Sequence, residues 1–175
     1  MLAYFKPTWI TKEYQQIRPE FLLKQGIKIV FTDLDNTLIA WDEPHATEQL
    51  IEWIKDLKAA GISVVLVSNN NTKRIGKVAQ VIDTPFVYPA LKPLHKGFKD
   101  ALKLHHVEKE AVVMIGDQIM TDIFGATTFG IRTILVNPIK PSDGWNTKIN
   151  RFFERIILKR LKKKNQLKEL TLDDE

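Results

Sequence analysis

Several short apolar runs with almost no polar alternation constrain the fold of this chain more than any other feature. Residues 27–32, 62–67, 111–115 and 132–136 are rich in isoleucine and valine. A strand that is apolar along its whole length is buried on both faces, which is typical of a parallel sheet covered by helices. The sequence therefore predicts an α/β fold in which a parallel sheet lies between two layers of helices.

The segments between these runs have the spacing of amphipathic helices. Residues 46–60 carry apolar side chains at helical intervals, and Gly61 follows where that helix is expected to end. We predict further helices at residues 72–82, 96–105 and 120–129, and a short strand at residues 85–88. This alternation predicts a three-layer, Rossmann-like architecture with helices on both faces of the sheet.

Polar side chains follow the carboxyl ends of four predicted strands. They are, in chain order, Asp33 and Asp35, Ser68 and Asn69, Lys92, and Asp117 and Asp122. In open parallel sheets these strand ends meet at one edge, which is where ligands bind. We therefore expect these side chains to form one site.

The two closest carboxylates, Asp33 and Asp35, come directly after a buried strand. Buried like charges repel each other unless a cation or a proton offsets them. Carboxylates from separate strands form an all-oxygen site that suits Mg²⁺, an ion that commonly shares its ligands with phosphate oxygens. Lys92 and Ser68 would complete a phosphate-binding site. One carboxylate would then act as a nucleophile and a second would carry protons.

The ordered set of motifs resembles the haloacid dehalogenase (HAD) superfamily of phosphatases. The sequence reads DLDNTL, then a strand that ends in Ser68, then Lys92-Pro93, then GDQIMTD, across residues 33–122. The resemblance implies that Asp33 is the nucleophile and a Mg²⁺ ligand. It also implies that Asp35 is the general acid and base and offers its backbone carbonyl to the metal.

The same resemblance implies roles for the rest of the set. Ser68 and Lys92 would hold the transferred phosphoryl group, with Asn69 as a further contact near it. Asp117 would bind the metal directly, and Asp122 would support the metal site. For Asp122 the alternative is a capping role in the helix that follows.

A closer resemblance extends from about residue 5 to about residue 153. The segments TDLDNTLIAWD and GDQIMTDIFGATTFGIRTILVNPI, with ALKP between them, resemble the YqeG-type branch of HAD subfamily IIIA. Eukaryotic members of this branch are phosphatidylglycerophosphate phosphatases. The resemblance therefore implies a Mg²⁺-dependent phosphatase that forms an aspartyl-phosphate and converts phosphatidylglycerophosphate to phosphatidylglycerol at a membrane surface.

The spacing of the motifs leaves no room for a cap domain. About eight residues separate Leu38 from the next predicted helix, and 24 positions separate Ser68 from Lys92. Many relatives insert a cap at one of these points, and neither interval holds a domain of ordinary size. We expect a HAD fold without a cap, as a single domain of residues 1–175 with a flank at 1–26, a catalytic core at 27–138 and a basic extension at 139–175.

The positive charge of the chain is concentrated near its end. The net charge is +5, and residues 151–168 contain eight lysines and arginines against one glutamate. An apolar stripe accompanies this charge, which predicts an amphipathic helix over residues 145–168 that contacts anionic lipid peripherally. The stripe consists of Phe152, Phe153, Ile156, Ile157 and Leu161. The alternative is a helix whose charged face only meets solvent.

Other features bear on location and on contacts near the motifs. The N-terminal residues lack the apolar core of a signal peptide, and the chain has no bilayer-spanning run and no cysteine. We expect a cytoplasmic protein, with peripheral contact to the inner face of the membrane as one option.

Trp9 and Trp41 are candidates for that contact, although a core position is favoured for each. For Arg74 and Lys96, solvent-facing positions on helices are favoured over contacts with a headgroup.

Two other functions remain open at this point. A site without a cap also suits a phosphatase of soluble phosphoesters, such as nucleotides or sugar phosphates. The basic extension would also suit a nucleic-acid-binding or ribosome-associated protein. The sequence contains no nucleic-acid recognition motif, so that partner is the least expected of the three.

Overall fold

Six parallel strands form the centre of the fold in the computed structural model, which describes residues 2–70, 72–140, 148–164 and 167–170. The strands are β1 (Trp9–Ile10), β2 (Ile29–Thr32), β3 (Ser63–Val67), β4 (Phe86–Val87), β5 (Val112–Gly116) and β6 (Arg132–Leu135). Their order across the sheet is β1-β6-β5-β2-β3-β4, and every neighbouring pair is parallel. The predicted parallel sheet is therefore confirmed, with β2 in its interior.

A helix that the sequence did not predict, α1 (Pro19–Lys24), precedes β2. The predicted helices are present as α2 (Glu48–Ala59), α3 (Thr72–Val81), α4 (Lys96–Lys103), α5 (Phe124–Phe129) and α6 (Lys148–Lys163). A π-helical turn, Ile119–Ile123, leads directly into α5, and 3₁₀ turns lie at Leu2–Phe5, Tyr14–Gln16 and Lys109–Ala111. The helix predicted over residues 145–168 is shorter in the structure, and its predicted first residues, 145–147, lie outside the described residues.

The helices cover both faces of the sheet, as the continuous apolar strands predicted. Alternate residues of a strand point to opposite faces. On one face, Val30, Val64 and Ile115 pack with residues of α1, α2 and α3. On the other face, Phe31 and Met114 pack with residues of α4 and α5. This arrangement is the three-layer α/β fold.

The N-terminal flank contributes a strand that the sequence did not reveal. β1 pairs with β6, with Trp9 opposite Ile134. Trp9 is buried and packs edge-on against Phe21, with ring centroids 5.3 Å apart, which confirms its favoured core position. The favoured core position of Trp41 is wrong, because 45% of this side chain is exposed. A two-residue strand is too short to show a period, so only the pairing identifies it.

Helix α6 divides its predicted apolar stripe between the protein and solvent. Ile157 and Leu158 pack against Ile119 and Ile123 of the π-helical turn. The other members of the predicted stripe are a buried residue, Leu161, and three exposed ones, Phe152, Phe153 and Ile156. The helix therefore docks on the core through one face and presents a second apolar face. Among the residues that the structure describes, no helix is both long and apolar enough to cross a bilayer.

No cap occupies either of the expected insertion points within the described part of the chain. The loop from residue 39 to residue 47 joins the first motif to α2. The interval between Ser68 and Lys92 contains only α3, β4 and their connections. The edge of the sheet where the motifs meet is therefore not covered by an inserted domain.

Candidate active site

The predicted site residues converge at the carboxyl edge of the sheet. Asp33 and Asp35 follow β2, which lies between β3 and β5 in the sheet. Ser68 and Asn69 follow β3, and Asp117 follows β5. Lys92 lies in the loop after β4, and Asp122 lies in the π-helical turn after β5. The parallel topology thus places all four motifs at one edge, as the strand ends predicted.

Lys92 lies between two buried carboxylates. Its Nζ atom donates to Asp33 Oδ1 at 2.8 Å and also lies 2.8 Å from Asp122 Oδ1. Burial lowers the pKa of Lys92, but the charges of Asp122 and Asp33 outweigh that effect and hold the pKa above its usual value. Lys92 is therefore a fixed positive charge in an interior site, which suits the binding of a phosphoryl group.

Three carboxylates form a compact group beside this lysine. Oxygen atoms of Asp33, Asp117 and Asp122 all lie within 4.8 Å of one another, and all three residues are buried. Burial raises the pKa of Asp33, the Lys92 charge lowers it, and the Asp122 charge raises it, with a net increase. One lysine charge can offset only one of the three carboxylates, so the group fits a divalent cation bound by oxygen atoms.

Neutral groups hold two of these carboxylates in place. Thr37 Oγ1 donates to Asp117 Oδ1 at 3.0 Å, and the backbone N–H of Gln118 donates to Asp122 Oδ2 at 3.1 Å. Asp122 thus bonds to Lys92 through one oxygen and to its own turn through the other. A role limited to capping the following helix does not explain these contacts with Lys92 and the carboxylate group.

The side chain of Asp35 lies apart from the carboxylate group and has its own partners. It forms an ion pair with Arg74, and Asn70 Nδ2 donates to Asp35 Oδ2 at 2.6 Å. The solvent-facing position favoured for Arg74 is therefore wrong, whereas Lys96 is exposed and pairs with Asp100. Sequence reasoning missed Asn70 and Arg74 as site residues. The available signal was that α3 begins at the same sheet edge as the motifs.

Asn69 and Ser68 organise the loops around Lys92. The Asn69 side chain donates to the Lys92 carbonyl and accepts from the Lys92 N–H, both at 2.8 Å. Ser68 is buried, and its Oγ accepts the N–H of Asn70 at 3.1 Å. Contacts of Ser68 and Asn69 with a phosphoryl group remain predictions. The structure gives Asn69 a second role, which is to position the backbone of Lys92.

Gly116 allows the close approach of Asp122 to the end of β5. A Cβ atom at this position would lie 2.3–2.4 Å from atoms of the Asp122 side chain. No real Cβ contact is that short, so any larger residue would displace the carboxylate from Lys92. The glycine of the GDQIMTD motif is therefore required by packing at the site itself.

Comparisons with known proteins agree with this geometry. A family model described as haloacid dehalogenase-like hydrolase matches residues 3–130. The chain belongs to this family. It is also 44% identical over 164 residues to the "Probable phosphatase YqeG" of Bacillus subtilis, a match that covers 94% of this chain and 95% of the relative. The chain is thus an HAD-type phosphatase, a hydrolase of phosphomonoesters.

Two further matches are more limited. A glyceraldehyde 3-phosphate phosphatase of Pyrococcus furiosus is 44% identical over 43 residues, which is 25% of this chain and 18% of that protein. Among solved structures, a candidate 3-deoxy-D-manno-octulosonate 8-phosphate phosphatase from Vibrio cholerae has a TM-score of 0.53 at 16% identity. That match covers 85% of this chain and 92% of the other. It supports the fold alone.

The close approach at Gly116 leads to a prediction. Gly116→Ala should lower kcat by about 100-fold, the scale expected when a catalytic group moves by about 1 Å. It should also destabilise the fold by about 1–3 kcal/mol through overpacking. Steady-state kinetics and denaturant unfolding measure the two effects.

Gly76→Ala is the matched control, because a Cβ there meets only Phe86 atoms at 3.8–4.0 Å, in a helix interior. It should leave kcat unchanged and raise the free energy of unfolding by about 0.5–1 kcal/mol. Wild-type kcat in Gly116→Ala would show that the position of Asp122 does not matter for turnover.

Proposed function

We propose that this chain is a Mg²⁺-dependent phosphatase that acts on an anionic phospholipid, phosphatidylglycerophosphate, at the membrane surface. The observation that carries the proposal is an uncapped active-site edge beside a helix with an exposed, apolar and basic face. The family resemblance of the motif segments supports the same substrate. The proposal includes peripheral contact with the cytoplasmic face of a membrane.

The metal assignment rests on the donor set. Asp33, Asp117 and Asp122 would hold the ion, and the backbone carbonyl of Asp35 would complete the protein ligands. Mg²⁺ prefers carboxylate and carbonyl oxygens and commonly binds few of them together with substrate phosphate. When bound, the ion would offset negative charge on the phosphoryl group during its transfer.

The residues of the chain then carry out two displacements. A carboxylate oxygen of Asp33 attacks phosphorus, and the bond between phosphorus and the leaving oxygen breaks. Asp35 gives a proton to that oxygen, which leaves as the hydroxyl of phosphatidylglycerol. Water then attacks the aspartyl-phosphate and gives its proton to Asp35, so that inorganic phosphate leaves and Asp33 is restored. Lys92, held charged by its carboxylate partners, balances the phosphoryl charge throughout.

The exposed face of α6 supports action at a lipid surface. Phe152 is 60% exposed and Phe153 is 50% exposed, and the described basic residues Arg155, Lys159, Arg160, Lys162 and Lys163 of the same helix are exposed. Aromatic rings favour the headgroup region, and each basic residue near an anionic surface contributes about 1 kcal/mol. The helix docks on the turn that carries Asp122, so a membrane on this face would lie close to the active site.

Loops at the active-site edge add further apolar side chains. Trp41 follows the first motif, and Leu91 and Leu94 flank the Lys92-Pro93 motif; these three side chains are 45%, 46% and 63% exposed. Exposed large apolar side chains that lie together commonly mark a contact surface. Their position around an uncapped site favours a substrate that stays embedded in a larger surface.

Phosphate release from liposomes tests the substrate assignment. Phosphatidylglycerophosphate in liposomes and a panel of soluble phosphoesters would be assayed with Mg²⁺ and with EDTA. We expect Mg²⁺-dependent release from the lipid, and no turnover by Asp33→Asn, because this nearly isosteric change removes the nucleophilic charge. Phosphate release from the soluble esters alone would support the phosphatase activity and contradict the lipid substrate.

The exposed face of α6 is tested by vesicle binding. Changing Phe152 and Phe153 together to serine should weaken binding to anionic vesicles by tenfold or more, since each buried phenyl ring contributes about 1.5–3 kcal/mol. Hydrolysis of a small soluble ester should not change. Flotation of the protein with vesicles measures the first effect, and colorimetric phosphate release measures the second.

The control removes two leucines with similar exposure from the opposite edge of the sheet. Leu23 lies in the last turn of α1 with 50% exposure, and Leu104 follows α4 with 52% exposure. Changing both to serine should leave vesicle binding unchanged. Equal loss of binding in the two double variants, or no loss in either, would contradict a membrane role for α6.

A further inference from the structure

Arg74 joins the side chain of Asp35 to a loop at the mouth of the active site. Its guanidinium forms the ion pair with Asp35 and also donates from Nη2 to the carbonyls of Ala40 and Glu43, at 2.6 and 2.7 Å. Nε donates to the Glu43 carbonyl as well, at 3.1 Å. The Arg74 side chain is 20% exposed, so these contacts are largely sheltered from water. One side chain thus holds both a carboxylate and the loop that carries Trp41.

Asn70 holds the other oxygen of the same carboxylate. Its Nδ2 atom donates to Asp35 Oδ2, and its backbone N–H donates to Ser68 Oγ at the end of β3. Asp35 therefore contacts Asn70 from the loop that joins β3 to α3 and Arg74 from the first turn of α3. The Asp35 side chain is only 12% exposed. Its orientation is set from outside its own loop.

A proton carrier needs this kind of restraint. Efficient proton transfer requires the carboxyl oxygen to lie about 2.6–3.2 Å from the reacting oxygen. The Arg74 guanidinium is itself fixed by its bonds to the carbonyls of Ala40 and Glu43, so its ion pair with Asp35 places a positive charge at a set position beside the carboxylate. The contacts with Arg74 and Asn70 restrict the side chain of Asp35 to few orientations before the substrate binds.

We propose that Arg74 and Asn70 are positioning residues that hold Asp35 in the orientation from which it exchanges a proton with the leaving oxygen and then with water. The inference rests on the proposed role of Asp35 as general acid and base. It does not depend on the lipid substrate. Arg74 also ties this orientation to the loop of residues 40–43, so displacement of the loop would displace Asp35.

The dependence of rate on the leaving group tests the proposal. The leaving group of sn-glycerol 3-phosphate is an alkoxide, which needs a proton to depart, whereas p-nitrophenolate is stable and departs without one. Single-turnover release of the alcohol or phenol isolates the first displacement from the later attack of water. Loss of correct proton delivery should therefore slow the first substrate far more than the second.

The variants are Arg74→Gln and Asn70→Ala, with Asp35→Asn as the benchmark and Lys77→Gln as the matched control. Lys77 is an exposed basic residue on the same helix, so its removal changes the charge without touching Asp35. For Arg74→Gln we expect about 100-fold slower release of glycerol, within the range of general acid catalysis, and little change for p-nitrophenol. Asn70→Ala should show the same selectivity to a smaller degree, and Lys77→Gln should match wild type for both substrates.

The outcomes distinguish a failure of the role of Asp35 as general acid from a failure of the positioning roles of Arg74 and Asn70. If Asp35→Asn slows both substrates equally, Asp35 is not the general acid and the mechanism under the proposed function fails. Asp35→Asn could instead slow release of glycerol more than release of p-nitrophenol. If Arg74→Gln and Asn70→Ala then slow both releases equally, or slow neither release, the positioning roles are wrong. If Arg74→Gln does not fold, the selectivity of Asn70→Ala alone decides, because Asn70 is exposed in a loop.

Discussion

The ion pairs of Lys92 with Asp33 and Asp122 are the interaction on which the active site depends. They join three separate parts of the chain, which are the end of β2, the loop after β4 and the turn after β5. Each partner is buried, so loss of Lys92 would leave the carboxylates that it joins uncompensated in the interior. The rest of the edge supports these pairs. Asn69 fixes the backbone of Lys92, and Gly116 gives Asp122 room to reach it.

Irregular backbone is concentrated where these charges meet. Asn36 and Leu91 are non-glycine residues with φ of 61° and 55°, one inside the first motif and one directly before Lys92. Such conformations cost roughly 1–3 kcal/mol each and persist only where the surroundings hold them. The π-helical turn that carries Asp122 is a further irregularity of the kind found at functional sites. The regular sheet positions the strand ends, and these irregular segments direct the side chains from there.

The sequence predicted what depends on local pattern and not what depends on tertiary contact. Continuous apolar runs indicated five of the six strands within about two residues, and the motifs identified Asp33, Lys92 and Asp117. β1 was missed because Trp9 and Ile10 do not belong to a longer apolar run, and only pairing with β6 defines the strand. The contacts of Arg74 and Asn70 with Asp35 were missed because they connect positions 35 or more residues apart. Hydrophobicity alone did not show which apolar residues of α6 face the core and which face outward.

The balance of charge around Lys92 is tested most directly by the stability of the protein with and without Mg²⁺. Three buried carboxylates against one lysine should destabilise the metal-free fold, and the ion should relieve the repulsion. Denaturant unfolding of wild type should therefore show a free energy of unfolding about 2.7 kcal/mol higher at a Mg²⁺ concentration 100 times Kd than in EDTA. Asp117→Asn should be more stable than wild type in EDTA and should not respond to Mg²⁺. A wild type indifferent to Mg²⁺, or an Asp117→Asn variant less stable in EDTA, would contradict a carboxylate group built around a cation.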